Sequence, residues 1–251
     1  MADHIVDHTS ELSRRFPEKA SEARASPPKV VRIWNASRCW IRYLLVGARG
    51  GVPALVDFVH GNHFFPAVQV PSELAALGEI LAAHSPERAL EIGTAHGGTL
   101  LFLTRLARPQ AMIISVDLPG EWSGGGYSRA RGWLYKRFAR RRQRIHLFRG
   151  DSHSREMLGR VVAALNGWGL DFLFLDADHS YEGVKLDFEL YAPLVRKGGI
   201  IALHDIAEHP TATACEVSRF WNQIKSQYRH IEIIKDRQQA WAGIGVLFVD
   251  R

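Results

Sequence analysis

The sequence is poor in cysteine, and it has no apolar run long enough to cross a membrane. The two cysteines among its 251 residues, Cys39 and Cys215, stand far apart and in no spacing typical of a metal site. We therefore expect a reducing compartment rather than a disulfide-bonded fold. The most apolar stretch, residues 29–49, is interrupted by arginines before it reaches the ~18 to 20 apolar residues of a spanning helix. The start, MADHIVDH, has no signal-peptide pattern, so the sequence predicts a soluble, cytoplasmic protein.

One segment of the chain lacks acidic residues altogether. From Arg129 to Arg144 there are eight bases and no acid, whereas the rest of the chain has 24 bases and 26 acids. The formal net charge of +6 is therefore a local feature. Three interpretations stay open: a solvated helix whose apolar side is Trp133, Leu134 and Phe138, a contact with an acidic or phosphorylated acceptor, and nucleic-acid binding.

Changes of composition divide the chain into three parts. Residues 1–28 are polar and end in Ser26-Pro27-Pro28, which is typical of a flexible leader. Residues 29–70 are expected to form a helical appendage with a turn at Gly50-Gly51-Val52-Pro53. The basic and aromatic first half of the appendage favours packing on the domain or on a second subunit, with peripheral membrane contact as the alternative. Residues 71–251 form the main domain, whose first helix is expected to use Ser72 as N-cap.

Short apolar runs alternate with helical patterns along the main domain. Near-continuous apolar strands separated by helices predict an α/β fold with a parallel sheet covered on both faces. Two later runs are close enough in sequence to form a hairpin, which adds an antiparallel strand. The five runs expected to be parallel are 89–92, 112–116, 145–148, 170–175 and 200–203, and the hairpin runs are 231–234 and 246–249.

Each of the five parallel runs is followed by an acid, a glycine loop or a His-Asp pair. In open α/β sheets these strand ends form one binding crevice. The loop Glu91–Thr99 offers glycines for close backbone approach and unpaired N–H groups at a helix start. Its spacing, G-x-x-x-G-G, departs from the dinucleotide fingerprint G-x-G-x-x-G, which argues against an NAD-dependent oxidoreductase. Asp117 is placed for ribose hydroxyls and Asp151 for an adenine edge, so an adenosine ligand without a pyrophosphate explains the pattern.

Four segments of the sequence resemble class I S-adenosylmethionine-dependent methyltransferases. They are EIGTAHGGTLLFL, IISVDLPG, FRGDSH and LDFLFLDADHSYEGVKLDFELYAPLVRKGGIIALHDI. Within that class, residues 70–250 are most similar to a bacterial branch of cephalosporin-hydroxylase-like proteins and macrolide-sugar O-methyltransferases. The resemblance implies a Rossmann-like, doubly wound sheet of seven strands whose last strand is antiparallel. It also implies S-adenosylmethionine as cofactor, with these binding residues: Glu91, Gly93, Thr94, Ala95, Gly97, Asp117, Asp151, Ser152 and Asp176.

The fourth and fifth strand ends carry the candidate reaction centre. Asp176-Ala177-Asp178-His179 and His204-Asp205 offer carboxylates and imidazoles, which suit Mg²⁺ or Mn²⁺. The resemblance implies Asp176, His204 and Asp205 as metal ligands, although related enzymes often have an acid or amide where His204 stands. An imidazole with an ordinary pKa near 6.5 can accept a hydroxyl proton at neutral pH, so His179 is the expected general base.

The sequence therefore predicts a metal-assisted O-methyltransferase that acts on a hydroxyl of a sugar, glycan or other small metabolite. The glycines and aromatics of Trp122–Tyr127 indicate a mobile flap beside the site. The appendage suggests self-association into a homo-oligomer. The rival function is a nucleic-acid-binding protein or an RNA methyltransferase that uses the basic 129–144 segment, although no RNA-binding module is visible.

Overall fold

The computed structural model describes residues 51–120, 126–140, 142–210 and 213–250. The expected leader, the segment 29–49 with its membrane alternative, and the centre of the expected flap lie outside the described residues. Among the helices that are described, none combines the length and the apolar character needed to cross a membrane.

Seven strands form a single sheet in the order β3-β2-β1-β4-β5-β7-β6. The strands β1 to β5 pair in parallel, and β7 runs antiparallel to both of its neighbours, β5 and β6. The predicted parallel sheet, the hairpin and the antiparallel last strand are confirmed. The strands are β1 Arg88–Ile92, β2 Met112–Asp117, β3 Arg144–Arg149, β4 Leu170–Leu175, β5 Val195–His204, β6 Arg229–Ile233 and β7 Ile244–Phe248.

Helices cover both faces of the sheet because successive strand residues point to opposite sides. Ile113 and Phe172 pack in one core with α1, α2 and α3, while Ile114 and Leu173 pack in the other with α5, α6 and α7. The doubly wound architecture is therefore confirmed. The helices are α1 Gly51–His60, α2 Pro71–His84, α3 Gly98–Leu106, α4 Arg129–Tyr135, α5 Arg155–Leu165, α6 Tyr181–Tyr191 and α7 Val217–Ile224.

Two local expectations near the start of the domain are wrong. Gly51 begins helix α1 instead of a turn, and Pro53 lies in its first turn, where a missing N–H costs no helical hydrogen bond. Val70, not Ser72, occupies the N-cap position of helix α2, and it makes no side-chain capping hydrogen bond. Pro71 takes the first helical position, and Ser72 is buried inside the helix. Apolar residues of α1 join the core formed by α2 and α3, so residues 51–70 pack on the main domain.

The order of the strands places the binding crevice. From β1 the chain moves outward to β2 and β3, and then returns to pair β4 on the other side of β1. The loops that follow β1 and β4 therefore diverge, which opens a crevice at their carboxyl ends.

Candidate active site

A cleft of about 670 Å³ opens at the carboxyl ends of β1, β2, β4 and β5. Ten of the twelve predicted site residues line it. They are Gly93, Thr94, Ala95, Asp117, Asp151, Ser152, Asp176, His179, His204 and Asp205. The other two, Glu91 and Gly97, are not among the lining residues. The tertiary structure thus brings together residues that the sequence separates by whole helices.

Asp117 holds the loop that follows β1. Its Oδ2 accepts the backbone N–H groups of Thr94 at 2.9 Å and Ala95 at 2.6 Å, and its Oδ1 accepts that of Leu118 at 2.7 Å. Burial raises the pKa of the Asp117 carboxyl, and these N–H groups lower it in part. The Tyr135 hydroxyl donates to the carbonyl of Ala95 at 2.9 Å. The loop backbone is therefore fixed by contacts from β2 and α4.

The glycines of this loop allow the protein to pack on itself. A Cβ at Gly93 would lie 1.9 Å from the carbonyl oxygen of Asp176, and one at Gly97 would lie 2.7 Å from the Tyr135 ring. Both residues also have positive φ, +92° and +83°, which favours glycine. At both positions the loop backbone lies against another part of the protein. Gly97 therefore contributes to the site by letting the loop pack against Tyr135 of α4.

Glu91 is fully buried within β1 and does not line the cleft. Neither of its carboxylate oxygens has a hydrogen-bond partner among the described residues. Burial raises the pKa of Glu91 to about 8. At neutral pH this side chain is therefore mainly the uncharged acid.

The segment after β3 places Asp151 and Ser152 at the edge of the cleft. Asp151 is 62% exposed, and its Oδ1 accepts the N–H of His153 at 2.9 Å. The carbonyl of Ser152 accepts the hydroxyl of Tyr191 at 2.7 Å. Helix α6 thereby fixes this turn, while the Asp151 carboxylate stays open toward the cleft.

Two carboxylates and two imidazoles meet where β4 and β5 end. His204 Nδ1 lies 3.1 Å from Asp176 Oδ1 and 3.1 Å from Asp205 Oδ2. His179 Nε2 lies 3.0 Å from Asp205 Oδ2 and 3.8 Å from Asp176 Oδ1. His204 is 6% exposed, and its Nε2 has no partner among the described residues. The sequence-predicted base and metal ligands therefore form one cluster.

The charges in this cluster change the protonation of its members. Hydrogen bonds to Asp176 and Asp205 raise the pKa of His179 to about 10, so the expected ordinary value near 6.5 is wrong for the metal-free protein. Burial lowers the pKa of His204, but the same carboxylates raise it well above its usual range. Burial raises the pKa of Asp205, but His179 and His204 lower it far below its usual range.

The donor atoms of the cluster fit a divalent cation. One ligand atom each from Asp176, His179 and Asp205 lies within 4.8 Å of the others, with two oxygens and one nitrogen. Such an oxygen-rich set suits Mg²⁺ or Mn²⁺ with water or substrate completing the shell. His204 Nδ1 faces the same two carboxylates, so either imidazole can supply the nitrogen.

Sequence reasoning missed two residues that shape the cleft. Gln69, from the segment before α2, donates through Nε2 to Asp176 Oδ2 at 2.6 Å. Trp241, in the loop between β6 and β7, lines the cleft and is 40% exposed. Buried Glu73 holds that loop by accepting the N–H groups of Lys235 and Gly243. No local motif marks Gln69 or Glu73, whereas an exposed tryptophan in a loop was a usable signal.

The described residues of the basic segment, 129–140 and 142–144, are not among those that line the cleft. Its expected apolar side is wrong at Trp133, which is 63% exposed and carries the Arg137 guanidinium 3.7 Å from its ring centroid. Phe138 is buried as expected and Leu134 packs against the core, and Tyr135 is buried beside them. Helix α4 is short and continues into a 3₁₀ turn at Lys136–Phe138. Of the expected flap, Tyr127 is described and is buried against Tyr135.

The comparisons with known proteins agree with this architecture. Residues 90–206 match the family model described as a methyltransferase domain. This segment runs from β1 to the end of β5 and includes the loop after β1 and the Asp176 and Asp205 strand ends. A stretch of 41 residues, 16% of the chain, is 46% identical to "Uncharacterized protein R132" of Acanthamoeba polyphaga mimivirus, and the match spans 19% of that protein.

Three solved structures share the fold of this chain. Cofactor-bound Rv0187 from MTB is 20% identical with a TM-score of 0.54, covering 91% of this chain and 100% of that one. The O-methyltransferase TomG from Streptomyces achromogenes, in complex with SAM, is 18% identical with a TM-score of 0.52 (88% and 98%). An O-methyltransferase from Bacillus cereus, in complex with SAH, is 17% identical with a TM-score of 0.55 (87% and 99%). The finer resemblance to macrolide-sugar and cephalosporin-hydroxylase-like proteins stays a prediction.

Proposed function

We propose that the chain is an S-adenosylmethionine-dependent O-methyltransferase that acts on a hydroxyl of a sugar or another small metabolite. The observation that carries this proposal is the cluster of Asp176, His179, His204 and Asp205 in the same cleft as the Asp117-anchored loop. TomG and the Bacillus cereus protein, which share the fold, are described as O-methyltransferases with SAM or SAH bound, and this supports the proposal.

The cofactor is proposed to lie along the carboxyl ends of β1 to β3. The loop residues Gly93, Thr94 and Ala95 line the cleft where the methionine portion would bind. Asp117 Oδ2 already accepts two N–H groups, so a ribose hydroxyl is best accepted by Oδ1, which can take a further hydrogen bond. Asp151 and Ser152 would meet the adenine edge.

The acceptor hydroxyl is proposed to bind beside His179, which would take up its proton. In-line methyl transfer needs an oxygen nucleophile held close to the sulfonium and relieved of its proton. His179 cannot do this while Asp176 and Asp205 keep it protonated. Bound at Asp176, Asp205 and His204, Mg²⁺ or Mn²⁺ would supply positive charge that lowers the pKa of a nearby hydroxyl and offsets these carboxylates. Gln69 orients Asp176 for this role through its 2.6 Å hydrogen bond.

Two measurements test the proposal. The purified protein is examined by mass spectrometry for a co-purified nucleoside, and a panel of sugars and small hydroxylated metabolites is screened for transfer of a labelled methyl group. We expect S-adenosylmethionine or its demethylated product to be bound, and transfer to a hydroxyl to fall when a chelator is added. Binding of neither nucleoside by calorimetry would contradict the cofactor assignment, and transfer to nitrogen or carbon alone would contradict O-methylation.

A second candidate function is methylation or binding of RNA by the basic segment. It is favoured by the exposed Trp133, whose ring is stacked with Arg137 and could stack on a base. Filter-binding titrations at several salt concentrations test it, because phosphate contacts make affinity fall steeply with salt. Affinity that is absent, or that Arg137→Ala together with Trp133→Ala leaves unchanged, would exclude this use of the segment.

A further inference from the structure

Three side chains beside the reaction centre meet at a point that the proposed methyl transfer does not use. One ligand atom each from Asp205, His209 and Cys215 lies within 4.8 Å of the other two. His209 and Cys215 come from the segment between β5 and α7, and Asp205 directly follows β5. The set combines a carboxylate, an imidazole and a thiol, which no catalytic step of methyl transfer requires.

The orientation of His209 suits a metal ligand. Its Nδ1 lies 2.9 Å from the carbonyl oxygen of Ala207, and a carbonyl can only accept, so Nδ1 carries a proton. In the neutral imidazole Nε2 then has a lone pair, and this atom faces Asp205 Oδ1 at 3.2 Å. Two such atoms repel unless a proton or a metal ion lies between them. Histidines that bind metals typically have this arrangement, with the second ring N–H donated to a backbone carbonyl.

Asp205 faces two different groups with its two oxygens. Oδ2 is directed to His179 and His204, at 3.0 and 3.1 Å, in the cluster assigned above to methyl transfer. Oδ1 is directed to His209 and also accepts the N–H of Ala242 at 3.2 Å. The carboxylate can therefore serve two neighbouring sites at once.

We propose that Asp205, His209 and Cys215 form a binding site for Zn²⁺ or a similar transition-metal ion, next to the oxygen-rich cluster and sharing Asp205 with it. Thiolate and imidazole ligands favour Zn²⁺, whereas Mg²⁺ prefers oxygen alone. Three protein ligands leave a fourth position for water or an exogenous ligand. The proposal stands independently of the methyl-transfer function.

Cys215 is poorly suited to the alternative role of a free nucleophile. Burial raises the pKa of its thiol, and the carboxylates of Asp205 and Asp176 raise it further. Reactive cysteines instead lie in electropositive surroundings that stabilise the thiolate.

The test uses the full-length protein, freed of metal by a chelator and titrated with Co²⁺ as a spectroscopic probe. Wild type should show a near-ultraviolet charge-transfer band from thiolate to cobalt, which Zn²⁺ removes by displacement. Cys215→Ser should abolish this band and weaken Zn²⁺ binding by at least ~10-fold. Cys39→Ser, which changes the only other cysteine of the chain, is the matched control and should retain both properties.

Two further variants keep the test decisive. His209→Gln, with its fold checked by circular dichroism, should also weaken Zn²⁺ binding if Cys215→Ser disturbs folding. Asp176→Asn removes a ligand of the oxygen-rich cluster only, so it should leave the cobalt band in place even where methyl transfer is lost. The proposal is overturned if wild type shows no band, if the band survives in Cys215→Ser, or if Asp176→Asn abolishes it. The proposal is also overturned if Cys215→Ser and His209→Gln both bind Zn²⁺ as tightly as wild type. The contact between His209 and Asp205 would then be an ordinary ion pair.

Discussion

Nε2 of His179 lies 3.0 Å from Oδ2 of Asp205, although the two residues follow different strands of the sheet. The contact forms because β4 and β5 are parallel neighbours, so their carboxyl ends coincide. Hydrogen bonds to Asp176 and Asp205 together raise the pKa of His179 to about 10.

We expect His179→Ala to slow methyl transfer by ~10²-fold or more while leaving affinity for S-adenosylmethionine nearly unchanged. The reason is that His179 would take the acceptor proton and does not belong to the loop that would hold the cofactor. Single-turnover rates and calorimetry measure the two effects separately. His63→Ala, at an exposed histidine that does not line the cleft, is the control. Equal turnover in wild type and His179→Ala would contradict the base assignment.

Asp117→Ala should weaken cofactor binding by at least ~10-fold, because it removes the proposed ribose acceptor and releases the N–H groups of Thr94 and Ala95. Calorimetric titration with S-adenosylhomocysteine measures the change. Asp57→Ala, at an exposed position on α1, serves as the control. If Asp117→Ala bound the nucleoside as tightly as wild type, the ribose role would be refuted.

Glu73→Ala should lower the free energy of unfolding by about 2 to 4 kcal/mol, because it leaves buried N–H donors of the β6–β7 loop without an acceptor. Since this loop carries Trp241, the variant should also raise KM for the acceptor more than it lowers kcat. Urea unfolding and steady-state kinetics provide the measurements. The matched control is Glu79→Ala, an exposed glutamate on the same helix, which should change neither. A Glu73→Ala protein as stable as that control would rule out the anchoring role.

Glu91 should make the stability of the protein depend on pH. Its pKa is about 8 in the folded state and 4.5 for the free side chain, so the folded state holds an extra proton between these two pH values. The free energy of unfolding should therefore fall as pH rises from about 5 to about 8. Glu91 contributes at most about 1.4 kcal/mol per pH unit to this fall, and its contribution should level off above about pH 8. Glu91→Gln lacks the ionisable group and should lose this component. Denaturant unfolding of both proteins at several pH values tests the prediction, which fails if their stability difference is the same at pH 5 and pH 8.

The fold was largely predictable because its signals are local. Apolar runs of strand length and the helical spacing between them are read from a few neighbouring residues, and they predicted five parallel strands and the terminal hairpin correctly. The errors were also local: Pro71, not Ser72, decides where α2 begins, and a short helix followed by a 3₁₀ turn exposes Trp133.

The sequence by itself determined the sheet, the strand ends and the residue types that collect there, because hydrophobic periodicity and turn residues act over short distances. Only the tertiary structure decided how those residues affect one another. It placed Gln69 on Asp176, tied Glu73 to the Trp241 loop, and surrounded His179 with carboxylates that raise its pKa to about 10. Hydrogen bonds and electrostatic fields depend on distances of a few ångströms between groups that are far apart in the chain, and those distances exist only once the chain has folded.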